Sequence, residues 1–121
     1  MRPISVAAMF LKQFHLAFVP EGLDIKPVRM ELLREEYEEL QEALRSGDLR
    51  SIAQELADLV YVTYGTALAY GIDLDAALRE VHSSNMSKLG EDGKPVLRED
   101  GKVLKGPNYR PPNMEEAINV G

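Results

Sequence analysis

Five acids on two neighbouring stretches have a spacing that could do chemistry: Glu35, Glu36 and Glu39 on the first, Glu55 and Asp58 on the second. At about 100° per residue, Leu33, Tyr37, Leu40 and Leu44 form an apolar stripe on the first stretch. Glu31, Glu35, Glu38 and Glu42 fall opposite it, where a solvated face accounts for them. Glu36 and Glu39 lie on a flank shared with Leu32 and Ala43. On the second stretch Ile52, Leu56, Leu59, Val60, Thr63 and Ala67 form the stripe, and Glu55 and Asp58 share a flank with Val62 and Thr66. A carboxylate that borders apolar surface is partly desolvated, which is costly unless it is paired or binds a cation.

The register adds a second constraint. Glu39 and Glu55 each lie about eight residues from a turn near Gly47, and Glu36 and Asp58 each about eleven, so at a rise of about 1.5 Å per residue both pairs meet at matching heights in an antiparallel hairpin. Four carboxylates converging in this way repel one another unless a cation intervenes. Glu36, Glu39, Glu55 and Asp58 are therefore the expected ligands of a divalent metal. The chain of 121 residues has no Cys and two His, and a set of hard oxygen ligands suits Mg²⁺ or Mn²⁺. The competing reading is a solvated pair of Glu-rich helices.

The elements that must position these acids follow from periodicity and punctuation. Apolar residues at 6, 9, 10, 14, 17 and 18 predict a helix over 4–18 that ends before Pro20-Glu21-Gly22. Pro27 suits the first turn of a second helix, Gly47 ends it, and Asp48 can cap a third helix that runs to Tyr70-Gly71. Asp73 is a candidate cap for a fourth, over 74–89. Helices joined by two or three residues pack as antiparallel neighbours. From Leu59 to Tyr70 the third helix has almost no charged face, so it is expected to be covered on all sides. A chain of this length has too little other helix for that, which implies a homo-oligomer with the third helix near the interface. Residues 94–104 read as two short strands about an Asp100-Gly101 turn, and 106–112 as an extended Pro-rich tail. The expected fold class is all-α: a subunit of four-helix-bundle type with a short C-terminal hairpin and Pro-rich tail, a single domain over 1–121 with its helical part at about 4–89.

Composition bounds the function. A chain that is 45% hydrophobic can bury a real core. No apolar run approaches a membrane span, and residues 1–20 lack the pattern of a signal peptide, so a soluble cytoplasmic protein is expected. The net charge of −6 argues against a general nucleic-acid surface. Before Ser87 there are 14 acids and 8 Lys/Arg, and from Ser87 on 6 of each, which fits an acidic body that holds a metal-bound anionic ligand. No Gly-rich phosphate loop is present.

Candidates for binding that ligand lie elsewhere. His82, Asn85 and Lys88 recur on one face of the fourth helix, where an amide and an ammonium suit phosphate oxygens. Lys105, Asn108, Tyr109 and Arg110 sit in the stiff tail, which either wraps the fold or closes over a ligand. Phe14, His15 and Phe18 are read first as core packing and a helix-end histidine, and second as a base pocket.

Glu35-Glu36-Tyr37-Glu38-Glu39 followed by Glu55-Leu56-Ala57-Asp58 matches the EExxE…ExxD signature, and in this the chain resembles the all-alpha nucleoside triphosphate pyrophosphohydrolases, the MazG-like superfamily. Asn85 with Lys88, and Gly106-Pro-Asn-Tyr-Arg-Pro-Pro112, are similar to its phosphoribosyl-ATP pyrophosphohydrolase-like and dUTPase-like branch. The resemblance covers roughly residues 14–112. It implies a Mg²⁺-dependent enzyme that cleaves a nucleoside triphosphate between the α and β phosphates. Glu36, Glu39, Glu55 and Asp58 would hold the metal, Glu35 or Glu36 would orient or deprotonate the attacking water, and Asn85 and Lys88 would contact phosphates. It also implies a homodimer or homotetramer. The alternative is a non-catalytic helical module for metal binding or oligomerisation.

Overall fold

In the computed structural model, which describes residues 24–118, the chain divides into two compact units, Met1–Ile72 and Asp73–Gly121. The helix expected over 4–18, with Phe14, His15 and Phe18, lies outside the described residues. The described chain is mostly helical, with one two-stranded sheet, in agreement with the all-α expectation. Among the described residues no helix is long and apolar enough to cross a membrane.

The first unit is a helical hairpin of α1, Ile25–Ser46, and α2, Leu49–Ala69. The Asp24 carboxylate accepts from the Lys26 backbone N–H at 3.1 Å and caps α1. Pro27 sits within the first turn, where a missing N–H breaks no helical bond. Gly47, at φ 72°, ends α1 in the left-handed conformation that glycine adopts without penalty, and its N–H donates to the carbonyls of Ala43 and Leu44. Asp48 then caps α2, accepting from the Arg50 N–H at 3.2 Å and the Ser51 hydroxyl at 2.9 Å. Two residues cannot carry the chain further than a reversal, so the helices are packed neighbours.

Their mutual rotation is set by a buried guanidinium. Arg29 is 4% exposed; its Nη2 donates to the Val62 carbonyl at 3.0 Å and its Nε to Thr66 Oγ1 at 3.1 Å. The packed face of α1 carries Arg29, Leu33, Glu36, Leu40 and Ala43, all buried or half-buried. That of α2 carries Ile52, Glu55, Leu59, Val62 and Thr66, all half-buried. This rotates α2 from the expected stripe: Leu56 and Val60 are 49% and 52% exposed, and Thr63 is exposed as well. On α1 the outer edge of the expected stripe, Tyr37 and Leu44, is likewise exposed. Glu36 and Glu55 therefore stand within the packed faces and not beside them. Glu31, Glu35, Glu38 and Glu42 are exposed as expected, and Arg34 pairs with both Glu31 and Glu38.

The second unit is built on α3, Leu74–Met86, capped by Asp73, whose carboxylate accepts from the Ala76 N–H at 3.1 Å. The helix ends three residues before the expected boundary. There the Ser87 hydroxyl turns back to the Ser84 carbonyl at 2.6 Å. Strands β1, Val96–Leu97, and β2, Val103–Leu104, pair antiparallel, Val96 with Leu104 and Leu97 with Val103. Gly101 closes the turn at φ 90°, donating to the Arg98 carbonyl at 2.9 Å. This is the hairpin that Asp100-Gly101 predicts.

Beyond β2 the chain runs back along α3 as an extended strap. Gly106 lies against Lys88 and Leu89, Arg110 against Ser83, Ser84 and Ser87, and Asn113 against Glu80. A short helix α4, Glu115–Ile118, capped by Asn113, whose side-chain oxygen accepts from the Glu115 N–H at 3.0 Å, ends it; the Ala117 carbonyl accepts from the Asp73 N–H at 2.9 Å, and Ala117 is 2% exposed. Gly106 has no room for a side chain: a Cβ there would sit 2.5 Å from the carbonyl oxygens of both Lys88 and Leu89. Because both obstacles are backbone, Gly106→Ala is expected to push the strap off the end of α3. The loss should be about 1–3 kcal/mol, as for overpacking elsewhere. Faster amide exchange at Arg110 and Asn113, with α1 and α2 unaffected, is the measurement that checks it.

Candidate metal centre

Glu36 and Glu39 project from α1 and Glu55 from α2, and one carboxylate oxygen of each lies within 4.8 Å of the others. The short Gly47 connection fixes the axial register that sets Glu39 opposite Glu55, and the Arg29 contacts fix the rotation that turns Glu36 and Glu55 towards each other. Their environment is unfavourable to negative charge. Glu36 Oε2 and Glu55 Oε2 are buried and make no hydrogen bond. Burial pushes the Glu36 carboxyl up to about 7, with the charges of Glu39, Asp58 and Glu55 adding to it. The Glu55 carboxyl is also raised, first by burial and then by its hydrogen bond and charge interaction with Glu39 and the charge of Asp58. Buried acceptor oxygens without a donor cost free energy. A divalent cation relieves both the unmet acceptors and the repulsion, so the donor set fits a hard metal ion.

Asp58 stands just outside the tight set. It is half-buried, and its charge acts on both Glu36 and Glu55. Glu35 is exposed and does not enter the set. Towards the connection, a depression of about 270 Å³ is lined by Glu39, Glu42, Ala43, Ser46, Ser51 and Glu55, which leaves two of the cluster acids open to a ligand.

The remaining candidates belong to the second unit. Asn85 is exposed on α3 and Lys88 half-buried just after it; Lys105 and Asn108 are exposed and Tyr109 half-buried in the strap. The Lys105 ammonium lies over the Tyr109 ring, 4.7 Å from its centroid. Arg110 is engaged within the fold: Nη1 donates to Glu80 Oε1 at 3.0 Å and Nη2 bonds to the Ser83 hydroxyl. Sequence reasoning passed over the side chains that receive it. Glu80, Ser83, Ser84 and Ser87 recur at i, i+3, i+4 and i+7, a polar stripe on one helix face, and that spacing was the available signal. It was eclipsed by His82, of which the structure leaves the side chain exposed.

The model of the phosphoribosyl-ATP pyrophosphohydrolase family matches residues 11–85, which include every residue of the acid cluster. An uncharacterized protein of Acanthamoeba polyphaga mimivirus is 30% identical over 78 residues, 64% of this chain and 29% of that protein. The chain thus spans less than a third of the length of this curated relative.

Proposed function

This chain belongs to the phosphoribosyl-ATP pyrophosphohydrolase family, a family of hydrolases that act on phosphorus anhydrides, and from that premise we propose that it hydrolyses a nucleoside triphosphate to the monophosphate and pyrophosphate with Mg²⁺ as cofactor. The observation that carries the reading is the acid cluster: two buried, unpartnered carboxylate oxygens on facing helices, inside the segment that matches the family.

Glu36, Glu39 and Glu55, with Asp58 beside them, would hold the ion. When bound, Mg²⁺ neutralises phosphate oxygens and makes the water attack less costly. The side chains do the rest. The water oxygen attacks the α phosphorus, the bridging oxygen leaves with the β phosphate as pyrophosphate, and a carboxylate, Glu35 or Glu36, takes the water proton. Glu35 is exposed and outside the tight set, which leaves it open to water. Asn85, Lys88, Lys105, Asn108 and Tyr109 are the proposed phosphate contacts. His15 remains a candidate for the base. The cytoplasm, where nucleoside triphosphates are kept, is the proposed location.

Release of pyrophosphate from a panel of NTPs, dNTPs and phosphoribosyl-ATP, with Mg²⁺ or Mn²⁺, tests the reading. Turnover that stops on chelation supports it. No turnover of any nucleotide, together with tight binding of iron, would replace it with a non-catalytic metal-binding module.

We also propose a homodimer or homotetramer joined through the outer face of α2. Leu49, Leu56, Val60 and Tyr70 are between 49% and 79% exposed, a row of apolar side chains too large for water contact to be its settled state. Val60→Glu is expected to shift the protein to single chains in light scattering, since a buried charge without a partner costs several kcal/mol. An unchanged mass would rule this face out.

A further inference from the structure

We propose that Glu80 is a positioning residue: it latches the strap 106–113 along α3 and thereby sets Lys105 beside the Lys88 end of that helix as an anion-binding pair for a polyphosphate. The proposal rests on the nucleotide reading above for its ligand, but its geometry is independent of the acid cluster.

A single oxygen of Glu80 holds the strap at two points. Oε1 accepts from Arg110 Nη1 at 3.0 Å and from the Asn113 backbone N–H at 3.1 Å. Between them the Arg110 backbone is held from below: its carbonyl accepts from the Ser84 hydroxyl at 2.8 Å and its N–H donates to Ser87 Oγ at 3.0 Å. Ser84 is 2% exposed, so this contact is part-buried on the helix side. The guanidinium of Arg110, a phosphate contact expected from the sequence, is thus engaged by the latch.

The consequence lies four residues upstream. With Arg110 fixed, the short run from Gly106 is drawn onto the turn that follows α3, where the Gly106 backbone packs against the carbonyls of Lys88 and Leu89. Lys105 is next to that contact and Lys88 is part of it, so two ammonium-bearing residues meet at one end of the helix. Among the described residues neither forms an ion pair with a carboxylate, whereas Arg98 and Arg110 both do. The Tyr109 ring beneath the Lys105 ammonium restrains it without neutralising it. Two lysines whose backbones meet in this way, neither of them ion-paired among the described residues, offer a multiply charged anion a cationic site.

The test titrates inorganic tripolyphosphate into the full chain in chelator, so that metal does not contribute, and follows Lys105 and Tyr109 amide shifts alongside amide exchange at Asn113. Losing one charge-assisted contact is worth about tenfold, so E80A is expected to weaken binding about tenfold and to expose the Asn113 amide. E80Q keeps an acceptor for Asn113 and loses only the charge, so it should fall between E80A and the wild type. K105A should weaken binding as much as E80A but leave Asn113 protected, a separation that a merely structural role for Glu80 would not give. In turnover, E80A should raise KM about tenfold with kcat within about twofold. The proposal is overturned if the wild type does not bind tripolyphosphate, if E80A leaves Asn113 protected, or if Asn113 is exposed while affinity is unchanged. Tripolyphosphate binding with this pattern but no turnover of any nucleotide would sink the enzyme reading and leave the latch standing.

Discussion

Glu36→Gln is expected to give a folded protein that has lost metal-dependent pyrophosphate release by roughly 10²–10³-fold, the range for removing one preorganised electrostatic group from an active site. Its metal-free form should melt no lower than the wild type, and higher if the cluster is as strained as its geometry implies. The two expectations follow from one arrangement. Glu36 contributes a buried oxygen without a donor and a charge that faces Glu39 and Glu55. Without a cation that charge is a liability, and glutamine removes it at constant shape. With a cation it is a ligand, and glutamine offers a neutral oxygen in place of an anionic one. The diagnostic result is therefore opposite movement: the rise in melting temperature that Mg²⁺ gives the wild type should shrink or vanish in the mutant. Asp58→Asn should also lose activity, with a smaller effect on metal-free stability because Asp58 lies outside the tight set. Full activity in either mutant would refute the assignment of the site.

Arg29→Met should lower the unfolding free energy by about 2–4 kcal/mol, because a buried, multiply bonded charged group is lost together with its partners' satisfaction. Methionine has a similar length and keeps much of the packing, so the cost is polar rather than steric. The Val62 carbonyl would retain the Thr66 hydroxyl, which donates to it at 2.8 Å, and lose the guanidinium. Arg29→Lys should recover little, since a single ammonium cannot reproduce the planar fork that reaches a backbone carbonyl and a hydroxyl together. Arg29 is distant in sequence from the cluster acids on α2, yet it sets the rotation of α2 on which the approach of Glu55 to Glu36 depends. Metal affinity should therefore fall along with stability. Urea unfolding measures the first effect and the Mg²⁺-induced shift in melting temperature the second. A mutant with wild-type values for both would show that the helix pair does not need this contact.

Much of this was legible in the sequence because it is local. Asp48 and Asp73 cap helices, Gly47 must end one, Asp100-Gly101 turns a hairpin, and a two-residue connection forces α1 and α2 to be antiparallel. Register is also local once the turn is known, since each helical residue adds a fixed rise, and so the sequence sets Glu39 opposite Glu55 and Glu36 opposite Asp58.

What the sequence left open was rotation and long-range docking. From Leu59 to Tyr70 the helix is apolar nearly all round, so no periodicity selects the face that meets α1. Tertiary packing chose the face with Val62 and Thr66, where the buried Arg29 finds acceptors. That choice moved Glu36 and Glu55 from the flank into the packed face and left Leu56 and Val60 outside. The strap was equally hidden: the partners of Arg110 that hold it along the helix, Glu80 and Ser83, lie 30 and 27 residues away. The sequence by itself determined which helices form and at what height their acids stand. Only the tertiary structure decided which way those helices face, because rotation is fixed by partners that are neighbours in space and not along the chain.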